Sequence, residues 1–323
     1  MKAIVYTQYG PPDVLQFKEV AIPKPADNQV LVKICAASVN PLDSGVMRGT
    51  GRLTGTGLLK PRQKALGSDF AGRVEGVGRH VKQFQAGDEV FGGNIWGGGG
   101  FAEYVCAVEH RLARKPANIS FEQAAAVPVA AITALQGLRN KGRIQRGHKV
   151  LVDGASGGVG TFAVQIAKSF GTEVTAVCST RNVDAARSIG ADHVIDYTRE
   201  DFTQSGRRYD LIMAANAYHS IFDYRRALTQ NGIYVWSGGR VSFQVMLLGP
   251  LLSLIGRKKI RFFLAKLNKT DLGLLADLLE SGKVVPIIDR RYPLSETAEA
   301  VRYLEEGHAR GKVVITVEHS SDG

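Results

Sequence analysis

The glycine-rich segment at residues 150–168, VLVDGASGGVGTFAVQIAK, has the residue types and spacing that point most directly to chemistry. An apolar run leads into a turn and then into apolar positions at helical spacing. Ala155 stands where the G-x-G-x-x-G motif has its first glycine, so the motif continues with Gly157 and Gly160. Gly157 lets backbone amides approach a pyrophosphate, Gly160 lets the helix pack on the sheet, and the helix N-terminus offers unpaired N–H groups. We predict a nucleotide-binding strand, loop and helix; the alternative is a tight turn that binds nothing. The residues predicted to contact the cofactor here are Ala155, Ser156, Gly157, Gly158, Val159 and Gly160.

The next predicted strand, residues 173–178, indicates which dinucleotide is preferred. An NAD-selective site places Asp or Glu at the strand end to hold the ribose 2′-hydroxyl, whereas this chain has Cys178 there. The following Ser179, Thr180 and Arg181 can donate to a 2′-phosphate, with the guanidinium forming a charge-assisted fork. We therefore predict NADPH as the cofactor. The alternative for Arg181 is a surface arginine at the start of the following helix.

Composition argues against other classes of site. Three cysteines and seven histidines show no metal-ligand spacing, which predicts no metal site and reduced thiols. The formal net charge is +11, but the basic residues are scattered and no aromatic platform is interleaved with them. Nucleic acid is therefore not an expected partner.

The elements that must position these residues divide into two patterns. A chain of 323 residues exceeds one comfortable core, so two domains are expected. Residues 1–119 alternate apolar and polar at strand spacing, including a strand at residues 101–105, which predicts a small β-rich domain. From residue 120, helices alternate with short apolar strands as in a doubly wound parallel sheet. The tail predicts helices at residues 271–280 and 294–306, with strands near residues 284–291 and at residues 312–317.

Two further features concern location and contacts. The first ten residues follow a strand pattern without the charged and apolar regions of a signal peptide, which predicts a cytoplasmic protein. Residues 243–255, FQVMLLGPLLSLI, are apolar but too short to span a bilayer, and a basic cluster at residues 257–261 follows them. The segment would cover a substrate cleft or a subunit interface, or it would rest on an acidic membrane surface.

Nine stretches read in order identify a family resemblance. They are VKICAASVNPLD, LGSDFAGRVEGVG, FQAGDEVFG, GGFAEYV, PVAAITAL, GASGGVG, CSTRN, GADHVIDY and EEGHARGKVVI. The whole chain resembles the zinc-free quinone oxidoreductase branch of the medium-chain dehydrogenases/reductases, with its zeta-crystallin-like quinone reductases and alkenal/enone reductases. The resemblance implies an α/β fold with a GroES-like, β-rich catalytic domain (residues 1–119 and 268–323) and a Rossmann NADP(H)-binding domain (residues 120–267). It also implies an active site in the cleft between them and a homodimer.

The chain departs from the zinc enzymes of that superfamily at their metal-ligand positions. Asn40 replaces a cysteine, Ser68 and Asp69 occupy the G-H-E motif, and the third ligand position falls near Val129. None of these completes the Cys/His tetrahedron that zinc prefers. The chemistry that remains is hydride transfer from NADPH to an electrophilic acceptor, a quinone or an α,β-unsaturated carbonyl.

Such a reaction needs a hydrogen bond to the acceptor's oxygen. Asn40 is the candidate donor, and Asp43 a supporting or proton-relay group. Alternatively, both residues only brace the turn around Pro41, as Asn and Asp commonly do. No tyrosine lies in residues 40–60, which disfavours a dedicated enoyl-thioester reductase and leaves solvent or a water relay as the proton source.

The resemblance also implies further cofactor contacts. It puts Thr133 beside the nicotinamide, Tyr197 at the 2′-phosphate, and Ser237 and Gly238 near the nicotinamide ribose. The residues it puts at the border of the carboxamide and the cleft are Phe262, Phe263 and Leu264. The alternatives are a helical threonine bonded to backbone, a strand-end tyrosine and a pair of core phenylalanines.

Three functions remain open from the sequence. The first, which we favour, is an NADPH-dependent reductase of quinones or enones. The second is a nucleotide-binding redox sensor or complex subunit with little catalysis. The third is a peripheral membrane enzyme acting on lipid-derived enones or lipophilic quinones, which is compatible with the first.

Overall fold

The computed structural model describes residues 1–50, 57–62, 65–95, 98–239 and 242–319, with the backbone alone at residues 242 and 243. The strands are β1 Lys2–Val5, β2 Gln16–Glu19, β3 Gln29–Val39, β4 Asp69–Val77, β5 Glu89–Gly93, β6 Tyr104–Val108, β7 Leu112–Arg114, β8 Lys149–Asp153, β9 Glu173–Cys178, β10 His193–Asp196, β11 Tyr209–Ala214, β12 Leu228–Trp236, β13 Lys259–Phe262, β14 Ile288–Pro293 and β15 Lys312–Thr316. The helices are α1 Pro41–Met47, α2 Phe121–Ala125, α3 Pro128–Leu135, α4 Gly158–Ser169, α5 Val183–Ser188, α6 Ile221–Arg226, α7 Ser242–Leu254, α8 Lys269–Glu280 and α9 Thr297–Glu305.

The chain folds into two compact units. Over its described residues the first unit comprises Met1–Val129, Lys266–Gly282 and Pro286–Gly323, and the second comprises Ala130–Ala265 and Lys283–Val285. The first boundary therefore falls at Val129 rather than at residue 119, because α2 packs on strands β3 and β4 of the first unit. The tail returns to the first unit at Lys266, close to the expected residue 268.

The first unit is built on a mixed sheet whose described strands run in the order β14-β15-β3-β4-β5-β7, with β6 also paired to β3. Strands β14 and β15 are parallel, and the other pairs are antiparallel. Alternate residues are buried over the first seven residues of β3, which is the pattern of a sheet with one face in a core, and its last four residues are all buried. That core includes Val32, Ile34, Phe70 and Ile315.

The second unit contains a sheet of six parallel described strands in the order β10-β9-β8-β11-β12-β13. Strands β8, β9 and β11 are buried runs of apolar residues, as expected for a sheet covered on both faces. Numbered along the unit, the order is 3-2-1-4-5-6, which is the doubly wound order of dinucleotide-binding folds. Ligands in such sheets bind beyond the carboxyl ends of the strands, at the switch point between the first and fourth strands, here β8 and β11.

Three expected elements lie elsewhere than predicted. The strand expected at residues 101–105 is β6, because the backbone of Phe101 instead bonds to Ile4 and Leu66. The strand expected near residues 284–291 begins later, at Ile288. The helix expected at residues 294–306 is a short 3₁₀ turn, Leu294–Glu296, followed by α9.

Candidate functional site

The loop between β8 and α4 has the geometry of a phosphate-binding turn. Gly154 has a φ of +78°, and the Ala155 N–H donates to Val177 O at 3.0 Å, which holds the loop against β9. At Gly160 a Cβ would lie 2.0 Å from Gly154 O, so only glycine lets α4 approach the strand end so closely. Ala155 and Gly160 are buried, whereas the intervening loop residues are half-exposed.

Gly157 supplies the test of whether a phosphate group fits this loop. Its φ of −81° is ordinary for any residue, and among the described atoms a Cβ there would meet only Gly154 O, at 3.6 Å. Neither backbone strain nor packing therefore requires glycine at this position. Since Gly157 caps the twelve-residue helix α4, whose first N–H groups lack intrahelical acceptors, the open space beside it suits a bound pyrophosphate.

The end of β9 brings together the residues predicted to bind the 2′-phosphate. Thr180–Asn182 forms a 3₁₀ turn directly after Ser179. The Tyr197 N–H donates to Cys178 O at 3.1 Å, and the Tyr197 side chain is 60% exposed. Ser179, Thr180, Arg181 and Tyr197 thus lie at one edge of the sheet, although their contact with a cofactor stays a prediction.

Asp196, at the end of β10, is a feature of this edge that sequence reasoning missed. It pairs in register with Cys178, and its Oδ2 accepts the Thr180 hydroxyl at 2.6 Å. That bond, helped by others from Thr198 and by the Arg199 charge, lowers the pKa of Asp196, so the carboxyl is ionised. Because the single hydroxyl hydrogen of Thr180 is donated to Asp196, Thr180 must give up this bond before it can donate to a phosphate.

The ends of β11, β12 and β13 hold the remaining candidates. The Ser237 N–H and Oγ–H both donate to Ala214 O, each at 3.0 Å, and Gly238 O accepts the Ala217 N–H at 2.9 Å. Phe262 is 41% exposed and Leu264 76% exposed, whereas Phe263 is half-buried. Phe262 is therefore not a core residue.

Thr133 lies on α3, half-buried within the second unit. Its place beside the nicotinamide stays a prediction.

In the first unit, Asn40 and Asp43 belong to a buried polar group that we call the lysine cluster: Ser38, Asn40, Asp43, Ser68, Asp69 and Lys312. The sheet assembles it, because β3 lies between β4 and β15, with Ser38 opposite Asp69 and Val39 opposite Val313. Lys312 thereby reaches the end of β3, where Asn40 precedes α1 and Pro41 starts it.

The Asn40 side chain connects the cation and the anion of the lysine cluster. Its Oδ1 accepts from the Lys312 ammonium at 2.6 Å, and its Nδ2 donates to Asp69 Oδ2 at 2.9 Å and to Ser38 O at 3.4 Å. The ammonium only donates and the carboxylate only accepts, so these two partners define the orientation of the amide. Lys312 Nζ lies 3.6 Å from Asp69 Oδ2.

Asp43 braces the same turn. Its Oδ2 accepts the Asn40 N–H at 2.8 Å and its Oδ1 accepts the Ser68 hydroxyl at 2.7 Å. Burial, reinforced by the negative charge of Asp69, raises the pKa of Asp43 to about 6, while the Ser68 bond opposes the rise. Burial also raises the pKa of Asp69, against the opposing charge of Lys312. These bonds are those of the bracing interpretation, and the substrate-donor interpretation of Asn40 is left to experiment.

The lysine cluster does not suit a zinc ion. Its side chains are oxygen donors and one amide, and an ammonium group is already bonded among them. Within the described ranges, no three His, Cys, Asp or Glu side chains are grouped so that they could hold a metal ion. At two positions of the family's zinc ligands, Asn40 and Asp69 face an internal cation, the Lys312 ammonium, instead of a metal ion.

Comparison with known proteins agrees with this architecture. Residues 26–117 match the alcohol dehydrogenase GroES-like domain family, and residues 189–315 match the zinc-binding dehydrogenase family. The chain is similar to the 2-methylene-furan-3-one reductase of Solanum lycopersicum, at 39% identity over 98% of this chain and 79% of that protein. It is 36% identical, with the same shares covered, to the chloroplastic NADPH-dependent alkenal/one oxidoreductase of Arabidopsis thaliana.

A solved structure extends the likeness to three dimensions. The quinone oxidoreductase of Coxiella burnetii matches with a TM-score of 0.87 and 32% identity, over 98% of this chain and 99% of that one. The first unit is thus a GroES-like domain and the second a Rossmann domain. The chain belongs to the medium-chain dehydrogenase/reductase family, in the branch of quinone and alkenal/one oxidoreductases that needs no zinc.

Proposed function

We propose that this protein is an NADPH-dependent, zinc-independent reductase that transfers hydride to a quinone or an α,β-unsaturated carbonyl. The observation that carries the proposal is the lysine cluster, which places an ammonium among the family's metal-ligand positions, in a chain that retains the phosphate-binding loop. Relatives named as an alkenal/one oxidoreductase and a quinone oxidoreductase support the acceptor class.

In this proposal the second unit binds and orients the cofactor. The amides of residues 155–160 hold the pyrophosphate, Ser179, Thr180, Arg181 and Tyr197 hold the 2′-phosphate, and Ser237 and Gly238 flank the nicotinamide ribose. Thr133 and residues 262–264 border the nicotinamide. Bound NADPH supplies the hydride, and the reduced acceptor takes its proton from solvent.

The first unit supplies polar groups to the acceptor. Of the two Asn40 amide hydrogens, the one directed to Ser38 O makes the longer bond, at 3.4 Å, which is weak. We propose that this hydrogen is the one Asn40 offers to the acceptor's oxygen. Asp43 then acts behind it, by holding the turn through the Asn40 N–H.

The test is cofactor oxidation, followed at the nicotinamide absorbance, with a naphthoquinone, a benzoquinone, an alkenal, an alkenone and a simple ketone as acceptors. The expected result is turnover of a quinone or an enone with NADPH and none of the simple ketone. Tight NADPH binding with no turnover across the panel would instead support a redox sensor or complex subunit.

The cofactor preference has its own test. Arg181→Glu is expected to raise the KM for NADPH at least tenfold and to leave the KM for NADH nearly unchanged, because only NADPH carries the 2′-phosphate. Arg187→Glu is the matched control, since Arg187 is exposed on α5 and pairs with Asp184. Equal changes for both cofactors would remove Arg181 from the 2′-phosphate site.

We also propose that the protein is a homodimer through the edge strand β13 and helix α7. The exposed apolar side chains beside that edge include Met246, Leu247, Leu251, Leu254 and Ile255. Three basic residues that follow α7 are engaged internally, since Lys258, Lys259 and Arg261 donate to backbone carbonyls, and this favours a second copy over an acidic membrane. No helix within the described ranges is long and apolar enough to cross a membrane.

Light scattering coupled to gel filtration tests this contact. The expected result is a dimer that Leu254→Glu converts to a monomer. A monomeric wild-type protein that co-sediments with acidic liposomes would show that the surface contacts a membrane instead. Free Cys35, Cys106 and Cys178 fit the proposed cytoplasmic location, which cell fractionation tests.

A further inference from the structure

A buried carboxyl group lies directly beneath the phosphate-binding loop. Asp153 is the last residue of β8, is 6% exposed, and stands at the switch point of the parallel sheet. Its carboxylate accepts the N–H of Gly154, the first residue of the loop. Its Oδ2 also accepts the hydroxyl of Tyr224, from helix α6.

The polarity of the Tyr224 bond follows from its other partners. The Tyr224 oxygen accepts the Tyr218 N–H at 3.0 Å and the His219 N–H at 3.4 Å. Since these amides use its lone pairs, the hydroxyl hydrogen must go to Asp153. One hydroxyl group thus joins the end of β8 to the segment that follows β11.

The same segment is tied to the next strand end. Asp153 O accepts the Ala215 N–H at 2.9 Å, and the Ala217 N–H donates to Gly238 O at 2.9 Å. Gly238 is one of the residues that we place at the nicotinamide ribose. Asp153 and Tyr224 therefore connect the loop expected to hold the pyrophosphate to the loop expected to flank the nicotinamide ribose.

A neighbouring tyrosine holds the Tyr224 ring in place. The Tyr224 and Tyr234 rings stack at 4.5 Å between centroids with 14° between their planes, and both residues are fully buried. The Tyr234 hydroxyl has no hydrogen-bond partner among the described residues. The two tyrosines thus share burial and stacking and differ in hydrogen bonding, which makes Tyr234 a matched control.

We infer that Asp153 and Tyr224 are positioning residues for NADPH, which set the spacing between the phosphate loop and the segment after β11 without touching the cofactor. The inference rests on the proposed use of NADPH. Loss of the Tyr224 hydroxyl leaves one carboxylate oxygen and two amides unpaired, so the loops relax and the cofactor must reorder them on binding.

The test measures NADPH dissociation constants by nicotinamide fluorescence, together with kcat and the thermal unfolding midpoint. Tyr224→Phe is expected to raise the Kd for NADPH about five- to tenfold, the size of one lost ordinary hydrogen bond, with kcat at saturating NADPH within about twofold of wild type. Tyr234→Phe is expected to change the Kd less than twofold. Wild-type protein that fails to bind NADPH would contradict the proposed function rather than the positioning role.

A second variant separates positioning from general stability. Asp153→Asn retains an oxygen for the Tyr224 hydroxyl but presents an N–H donor to the Gly154 N–H. As a single substitution it should therefore raise the Kd for NADPH. The effects of Asp153→Asn and Tyr224→Phe on this Kd should not add. A lower unfolding midpoint with an unchanged Kd, or equal Kd changes in both tyrosine variants, would overturn the inference. If Tyr224→Phe does not fold, the Kd of Asp153→Asn decides: an unchanged value overturns the inference and a raised value supports it.

Discussion

Asp69 in the GroES-like unit and Asp153 in the Rossmann unit are both buried, but their surroundings compensate the carboxyl group differently. Asp69 has an ammonium partner, Lys312, and three further hydrogen-bond donors, Ser38, Asn40 and the Val129 N–H. Asp153 has the Tyr224 hydroxyl and the Gly154 N–H, and no lysine or arginine of the described residues is among the groups that act on its pKa. The carboxyl group of Asp69 is paired with a lysine, whereas the hydrogen-bond donors to Asp153 are neutral groups and the charge that acts on it is that of His219.

The contrast bears on what each region can do. A buried ion pair is costly to break, because removing one partner leaves an uncompensated charge in a low dielectric. A carboxyl held only by neutral donors can take up a proton instead, since the proton removes the charge that burial disfavours. The Asp69–Lys312 pair is therefore suited to a fixed arrangement, and the Asp153 site to one that depends on its protonation state.

The largest effect is expected from Lys312→Met. Asp69 would keep its burial and lose its cation, so the free energy of unfolding should fall by about 3–5 kcal/mol. Urea denaturation of the cofactor-free protein measures the loss. Lys168→Met is the matched control, because Lys168 pairs with Asp192 where both side chains are about one-third exposed, and such pairs are worth about 1 kcal/mol or less. Similar losses in the two variants would show that Lys312 does not compensate a buried charge.

The next largest effect is the pH dependence of the free energy of unfolding. Burial raises the pKa of Asp43 to about 6, with a further rise from Asp69, and burial raises the pKa of Asp153 to about 6. A raised carboxyl pKa means that the folded state binds the proton more tightly than the unfolded state. The resulting stabilisation is complete below about pH 4 and is lost as the pH rises through 6. With about 1.4 kcal/mol for each pH unit between the two pKa values, each group contributes about 3 kcal/mol.

Denaturation of wild type, Asp43→Asn and Asp153→Asn between pH 4 and pH 7 measures this contribution. Relative to either variant, the wild-type protein should lose stability as the pH rises. The charged and titratable groups acting on Asp43 are Asp69 and Lys312, with Tyr6 nearby; those acting on Asp153 are His219, Tyr224 and Tyr234. Lys312→Met should move the Asp43 transition to higher pH and leave the Asp153 transition in place. Parallel pH profiles for wild type and both variants would refute the prediction.

The two regions also differ in how far the sequence predicts them. The phosphate loop depends on local geometry, in which an apolar strand, glycines and a helix follow one another within twenty residues, so its elements could be predicted. The resemblance to the family also predicted the two domain types, which the comparisons confirm. The lysine cluster joins Asn40 to Lys312 across 272 positions, and only the pairing of β3 with β15 brings them together.

The side-chain partners near the proposed cofactor site could not be predicted from the sequence either. Asp196 looked like a strand residue in the stretch VIDY, and the parallel pairing of β10 with β9 is what puts it against Thr180. Tyr224 lies 71 positions from Asp153 and carries no local motif. Lys312 did leave one signal in the sequence. It starts the strand KVVIT and is followed by three apolar residues, and a buried lysine needs a partner.

The smallest expected effect is the difference in stability between phenylalanine variants of the two stacked tyrosines, Tyr224 and Tyr234. The Tyr234 hydroxyl is buried without a hydrogen-bond partner among the described residues, so Tyr234→Phe removes a desolvated polar group and should leave the free energy of unfolding unchanged or raise it by up to about 1 kcal/mol. Tyr224→Phe removes a hydroxyl that donates to Asp153 and accepts two amides, and should lower it by about 1–2 kcal/mol. Both variants keep the ring and its stacking, so the difference between their urea midpoints isolates the hydroxyl groups. A loss in Tyr234→Phe as large as that in Tyr224→Phe would show that both hydroxyls are bonded, and that Asp153 is compensated by a wider network than Tyr224 and the Gly154 amide.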